Sequence, residues 1–136
     1  SARVEVVGVQ TARLPSMQAA LQRQSPVDLP AKSTLADGIA VRRAGQRTLP
    51  LVNRYVDRIV TVDEDEIAEA ILMLLEGEKT VAEGAGAVAL AAVLQAKTEH
   101  RGKNIAVLVS GGNLDVNLLA RIIEQGMVRD GRRLRG

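Results

Sequence analysis

Apolar positions along the chain fall into short runs whose spacing changes from segment to segment. Residues 3–9 alternate and then run apolar, rich in Val, which predicts a strand over about 4–9. Pro15-Ser16-Met17 predicts the start of a short helix to about Arg23, and 24–32, with Pro26 and Pro30, reads as loop. Residues 35–41 read as an extended segment through Asp37-Gly38, with a further strand at 36–40, and 42–48 as loop. Pro50 suits a first helical turn, with a helix to about Val56. Ile59, Val60 and Val62 suit a strand over 57–62.

Asp63-Glu64-Asp65-Glu66 then predicts a helix start. Asp63 can cap it, Glu66 completes a capping box, and first-turn carboxylates complement the helix dipole. Ile67, Ala70, Ile71, Leu74 and Leu75 follow at helical spacing, giving a helix over 63–77. A break at 78–82 leads into a second helix over 83–97, then a strand over 104–109 and a last helix over 114–125. Strands alternating with helices imply an α/β three-layer unit with a mainly parallel sheet.

Composition narrows this picture. The chain has 136 residues, one domain by size, and 46% of them are hydrophobic, with one Tyr and no Phe or Trp, so its core must be aliphatic. Without cysteine there is no disulfide, thiolate nucleophile or thiolate metal site, in keeping with a cytoplasmic protein. No stretch approaches the roughly 20 apolar residues of a membrane span, and Ser1-Ala2-Arg3 lacks the apolar core of a signal peptide. The net charge of +2 is concentrated in 127–136, where Arg129, Arg132, Arg133 and Arg135 face Asp130 alone. That tail has no stacking aromatic and reads as solvated rather than as a nucleic-acid site. His100, in a polar stretch after a helix, reads as an exposed helix-end residue.

Two segments carry candidate chemistry. In Val107-Leu108-Val109-Ser110-Gly111-Gly112-Asn113-Leu114-Asp115, an apolar run leads into a turn without side-chain bulk and then a helix. Glycine there tolerates φ > 0 and lets a ligand approach the backbone, and Ser110 stands at the carboxyl end of its strand, where open α/β sheets bind ligands. An ordinary strand-to-helix connection would read the same way. In Glu83-Gly84-Ala85-Gly86-Ala87-Val88-Ala89-Leu90-Ala91-Ala92 nearly every side chain is small, which permits close packing, and Glu83 opens the helix. No nucleophile, base and orienting group form a complete catalytic set.

Taken in order with Leu35-Ala36-Asp37-Gly38-Ile39-Ala40, these segments resemble the C-terminal part of the catalytic domain of threonine dehydratases (threonine ammonia-lyases) and, more distantly, of serine racemases. The resemblance covers residues 1–126 and implies part of the large domain of a type II-fold pyridoxal phosphate enzyme. It implies that Ser110 contacts the cofactor ring nitrogen, that Gly38 lines the cofactor face, that Glu83 lies near it, and that Gly111 and Gly112 belong to the same cofactor-binding turn. A hydroxyl in that place suits α,β-elimination from a hydroxy amino acid, giving a 2-oxo acid and ammonia.

The family also carries an N-terminal half with a Ser-x-Lys-x-Arg segment, whose lysine forms the Schiff base with the cofactor, and a glycine run that cradles its phosphate. Neither is in this sequence, whose lysines are Lys32, Lys79, Lys97 and Lys103. The expectation is therefore a fragment or truncated relative of a threonine dehydratase, inactive alone and holding no cofactor by itself. Residues 127–136 resemble the link to a regulatory domain. Where some relatives bind a divalent cation, this chain has Gln10 and Ser16, so no metal is expected. Expected partners are a second copy, most simply in a dimer, and a complementary N-terminal half, with no nucleic acid or membrane. The alternative is a non-catalytic α/β domain serving assembly or small-ligand binding.

Overall fold

The structure, a computed structural model, describes residues 4–98 and 100–129. Strand β1 (Val7–Thr11) leads through helix α1 (Ser16–Arg23), a 3-10 turn (Asp37–Ile39) and helix α2 (Thr48–Tyr55) to strand β2 (Arg58–Val62). Helices α3 (Glu64–Glu78), α4 (Gly84–Leu94) and α5 (Val116–Arg129) follow. The strands pair in parallel, Val7 opposite Arg58 through Thr11 opposite Val62. At the ends of the ladder, Asp57 N–H donates to the Val6 carbonyl and Ala12 N–H to the Val62 carbonyl.

The architecture is α/β with a parallel sheet, as the alternating pattern requires. Helix α4 packs on both strands and on α3, and α5 packs on α3. Apolar on every side, α4 buries Gly84, Gly86, Ala87, Val88, Ala91 and Ala92, as expected of a helix enclosed by its neighbours. The core gathers Val62 of β2, Ile67, Ala70, Ile71 and Leu74 of α3, the buried face of α4, and Ile122 of α5. It is aliphatic throughout, as the composition demands.

Helix α3 starts as its sequence dictates. The Asp63 carboxylate accepts from Glu66 N–H at 2.9 Å and the Glu66 carboxylate accepts from Asp63 N–H at 2.7 Å. Lys79 ends the helix in the left-handed region, φ 54°, a conformation that usually falls to glycine. Glu66 also takes Lys97 Nζ at 2.6 Å, and that ammonium reaches the Thr61 carbonyl at 3.0 Å, tying the segment after α4 to the end of β2.

Two expected strands differ from the structure. Residues 36–40 are not extended, because Ile39 and Ala40 N–H close back onto the Ala36 and Asp37 carbonyls in a single 3-10 turn. Residues 104–109 have no ladder partner among the described residues, and Ile105, Leu108 and Val109 are exposed, Leu108 at 80%. A strand exists only through its neighbour's hydrogen bonds, so this apolar run carries the sequence signal of a strand without its pairing. Helix α4 ends at Leu94, short of the expected 97. Helix α5 continues to Arg129, past the boundary at 126, while residues 130–136 of the expected tail lie outside the described residues.

Candidate functional site

Three segments distant in sequence meet at the head of α4. Glu83 N–H donates to the Gly111 carbonyl at 3.2 Å, joining the start of the helix to the Ser110–Asn113 turn. Beneath, Gly84 lies against the Leu35 carbonyl and Ala36 amide, so that any Cβ there would strike backbone. One residue pair on, Gly86 lies against the Ser110 carbonyl with the same consequence. Gly38 completes the contact, its Cβ position 3.0 Å from the Ala85 methyl. The small residues of the 83–92 segment thus have a specific use: they let two backbone turns rest directly on the first turn of the helix.

Ser110, Gly111, Gly112 and Asn113 are exposed, and Glu83 is half-buried beneath them. Gly111 adopts φ +75°, a conformation open to glycine at little cost. Its missing Cβ leaves room for the Glu83 carboxylate, and a side chain at Gly112 would press on the Val81 carbonyl at 3.0 Å. On this flank, the space that the glycines free is taken by the chain's own atoms. Past the turn, the Asp115 carboxylate accepts from Asn117 and Leu118 N–H at 2.8 and 3.0 Å and caps α5.

All five expected site residues, Gly38, Glu83, Ser110, Gly111 and Gly112, therefore belong to one contiguous cluster. The other candidates lie apart from it. His100 is half-buried rather than exposed, its Nδ1 2.8 Å from the Thr98 carbonyl. Gln10 Oε1 accepts from Gln18 N–H at 3.0 Å, which binds β1 to α1. Lys97 is occupied by Glu66 and Thr61, and Lys79 by the Glu76 carbonyl. Among the described residues, no group of three or more His, Cys, Asp or Glu is placed to hold a metal, and no helix is long and apolar enough to cross a membrane.

Sequence reasoning missed the support of the cluster. Thr34 and Leu35 are held by Glu64, a residue read only as helix-start chemistry. Its signal was redundancy, since Asp63 and Glu66 already complete the capping box. A groove of about 490 Å³ between α3 and α5 is lined by Ala68, Leu72, Met73, Ile122 and Gly126 and contains no residue of the cluster.

The arrangement defines a class. Residues 1–111 match the family described as pyridoxal-phosphate dependent enzyme, and the chain belongs to that family. It is 54% identical over 131 residues to an L-threonine ammonia-lyase of Thermotoga maritima, covering 96% of this chain and 32% of that protein. Among solved structures it is similar to the processed form of threonine deaminase isoform 2 from Solanum lycopersicum, with TM-score 0.79, 29% identity, and coverage of 92% of this chain and 35% of that one. It is also similar to maize serine racemase, with TM-score 0.77, 26% identity, and coverage of 94% and 40%. Its fold is the catalytic fold of the threonine dehydratases and their serine racemase relatives, and the chain spans about a third of the length of the curated relatives it matches.

Proposed function

We propose that this chain forms one wall of the cofactor site of a pyridoxal phosphate-dependent threonine dehydratase, which converts threonine to 2-oxobutanoate and ammonia. The observation that supports the reading best is the meeting of the Ala36–Gly38 turn, the head of α4 and the Ser110–Asn113 turn in one cluster, with Gly38 and Ser110–Asn113 at the surface.

The donor set fits the ring side of the cofactor. Ser110, which carries a neutral hydroxyl, is exposed at the start of the turn, and the half-buried Glu83 carboxylate lies against the next residue, Gly111. In this reading Ser110 would meet the ring nitrogen and Gly38 would line the cofactor face, while Gly111 and Gly112 let the turn that carries Ser110 close onto Glu83 and Val81. When bound, pyridoxal phosphate supplies the electron sink that the elimination requires. Ser110 would orient the ring without placing a full charge at its nitrogen. Glu83, fixed through its own N–H to Gly111, would keep the turn in place near the cofactor.

The contacts that build the cluster involve no lysine, and none of the chain's lysines lies in the family's lysine motif, so covalent attachment is assigned to a second segment carrying that lysine. The experiment is oxo-acid production from L-threonine with added cofactor. The chain alone should give no more than the cofactor does, and addition of the lysine-bearing N-terminal segment should give turnover. Ser110→Ala in the recombined protein should then lower the rate. Robust turnover by the repurified chain alone would refute the division of labour, and failure to recombine into an active lyase would refute the assignment.

The exposed apolar residues of 104–109 favour association through that segment, since a strand-prone run without a ladder partner offers its backbone donors and acceptors to another chain. A non-catalytic assembly unit would share this feature, and only the recombination experiment separates the two readings.

A further inference from the structure

Glu64 is the first residue of α3, yet neither of its carboxylate oxygens faces its own helix. Oε2 accepts from Leu35 N–H at 2.6 Å. Oε1 accepts from the Thr34 hydroxyl at 2.6 Å and from the Thr11 hydroxyl, at the end of β1, at 3.4 Å. The two hydroxyls are themselves 3.1 Å apart, and the Thr34 hydroxyl also accepts from Ala36 N–H at 3.2 Å. Arg13 stands alongside, 3.7 Å from Glu64 and donating to the Ser33 carbonyl at 2.7 Å. Three elements are thus tied at one side chain that is only 21% exposed.

A first-turn carboxylate that served only the helix dipole would lie in solvent near its own N–H groups. Asp63, Asp65 and Glu66 already serve that purpose in α3. Glu64 instead reaches a segment 29 to 30 residues away in sequence. The residue whose amide it holds presents its carbonyl to Gly84, and the chain then turns through Ala36 to Gly38 against Ala85. A shift of Leu35 therefore changes where Gly38 rests on the head of α4.

We propose that Glu64 is a positioning residue that sets the Leu35–Gly38 turn against the head of α4. Its importance for catalysis rests on the reading of that turn as the cofactor-facing wall. Charge-assisted bonds at part-buried sites are the strong ones, and two of them on adjacent residues fix both the height and the tilt of the turn.

The test uses the full chain without cofactor, so that it is separate from the lyase assignment. Amide hydrogen exchange and nitrogen-15 resonances are followed in the parent, Glu64→Ala and Glu64→Gln. In Glu64→Ala, Leu35 N–H should exchange roughly tenfold to a hundredfold faster, as expected for loss of a bond to a charged acceptor. The Gly38, Gly84 and Ala85 resonances should shift, while exchange of Leu119 and Ile122 in α5 stays as in the parent. Glu64→Gln should largely restore Leu35 protection, because its carbonyl oxygen can accept that N–H and its amide can donate to a reoriented Thr34 hydroxyl. Unchanged Leu35 exchange in Glu64→Ala, or equal acceleration throughout α3, α4 and α5, would overturn the proposal.

If Glu64→Ala does not fold, Thr34→Val should still move the Gly38 and Ala85 resonances, and their constancy would overturn it equally. In the recombined lyase, Glu64→Ala should raise the half-saturating concentration of pyridoxal phosphate about tenfold by the same reasoning. An unchanged value there would overturn the functional importance of the clamp. Absence of lyase activity in the parent recombination would retire only the catalytic reading.

Discussion

The amide of Glu83 donates to the carbonyl of Gly111 across 3.2 Å, and the Glu83 carboxylate fills the space where a Gly111 side chain would stand. One residue thus holds the Ser110–Asn113 turn from both backbone and side chain. Replacing Gly111 with Ala would meet the carboxylate and would also strain a backbone at φ +75°. We expect Gly111→Ala to lower stability by about 1–3 kcal/mol, measured by denaturant unfolding, and to abolish activity in the recombined enzyme.

Two helical glycines should respond in opposite directions. Gly86→Ala forces a methyl into the Ser110 carbonyl and should destabilise by about 1–3 kcal/mol. Gly77, near the end of α3, has nothing within 4 Å of its Cβ position. There Ala should stabilise by roughly 0.5–1 kcal/mol through helix propensity alone. Midpoints of urea unfolding for the two variants, moving apart from the parent, check both assignments.

The start of α3 depends on a reciprocal pair of bonds between Asp63 and Glu66. Asp63→Ala should cost about 0.5–2 kcal/mol. Asp63→Asn, which still accepts from Glu66 N–H, should cost less. Thermal unfolding by far-ultraviolet circular dichroism measures the order of the three proteins.

Helix α5 is fixed to α3 where Gly126 meets Leu72 and where Ile122 is 3% exposed. Ile122→Ala should cost about 2–5 kcal/mol. Hydrogen exchange should show α5 losing protection before β1 and β2 do. Uniform loss across the chain would show that α5 and the sheet unfold as one unit.

Association through 104–109 should be visible as a weight-average mass that rises with concentration in sedimentation. Leu108, 80% exposed, contributes no core packing, so Leu108→Glu should shift the distribution toward the monomer with little change in unfolding midpoint. A parent chain that stays monomeric at high concentration would refute this.

Local chemistry made much of this protein legible in its sequence. The capping box at Asp63 and Glu66, the helix that follows, the Val-rich strands and the helix opened by Glu83 depend on contacts between near neighbours, which a linear pattern records. The motifs around Gly38, Glu83 and Ser110 were also legible, by resemblance. Tertiary structure decided what those motifs do to one another. Gly84 and Gly86 are required because Leu35 and Ser110 place carbonyls there, and nothing in the spacing of 83–92 names those partners. Glu64 looked like one more helix-start acid until folding brought Thr11, Thr34 and Leu35 to it. The run at 104–109 shows the same limit from the other side: apolar β-branched residues specify a strand's preference, but the hydrogen bonds that make it a strand belong to a neighbour, and pairing is a property of two segments rather than of one.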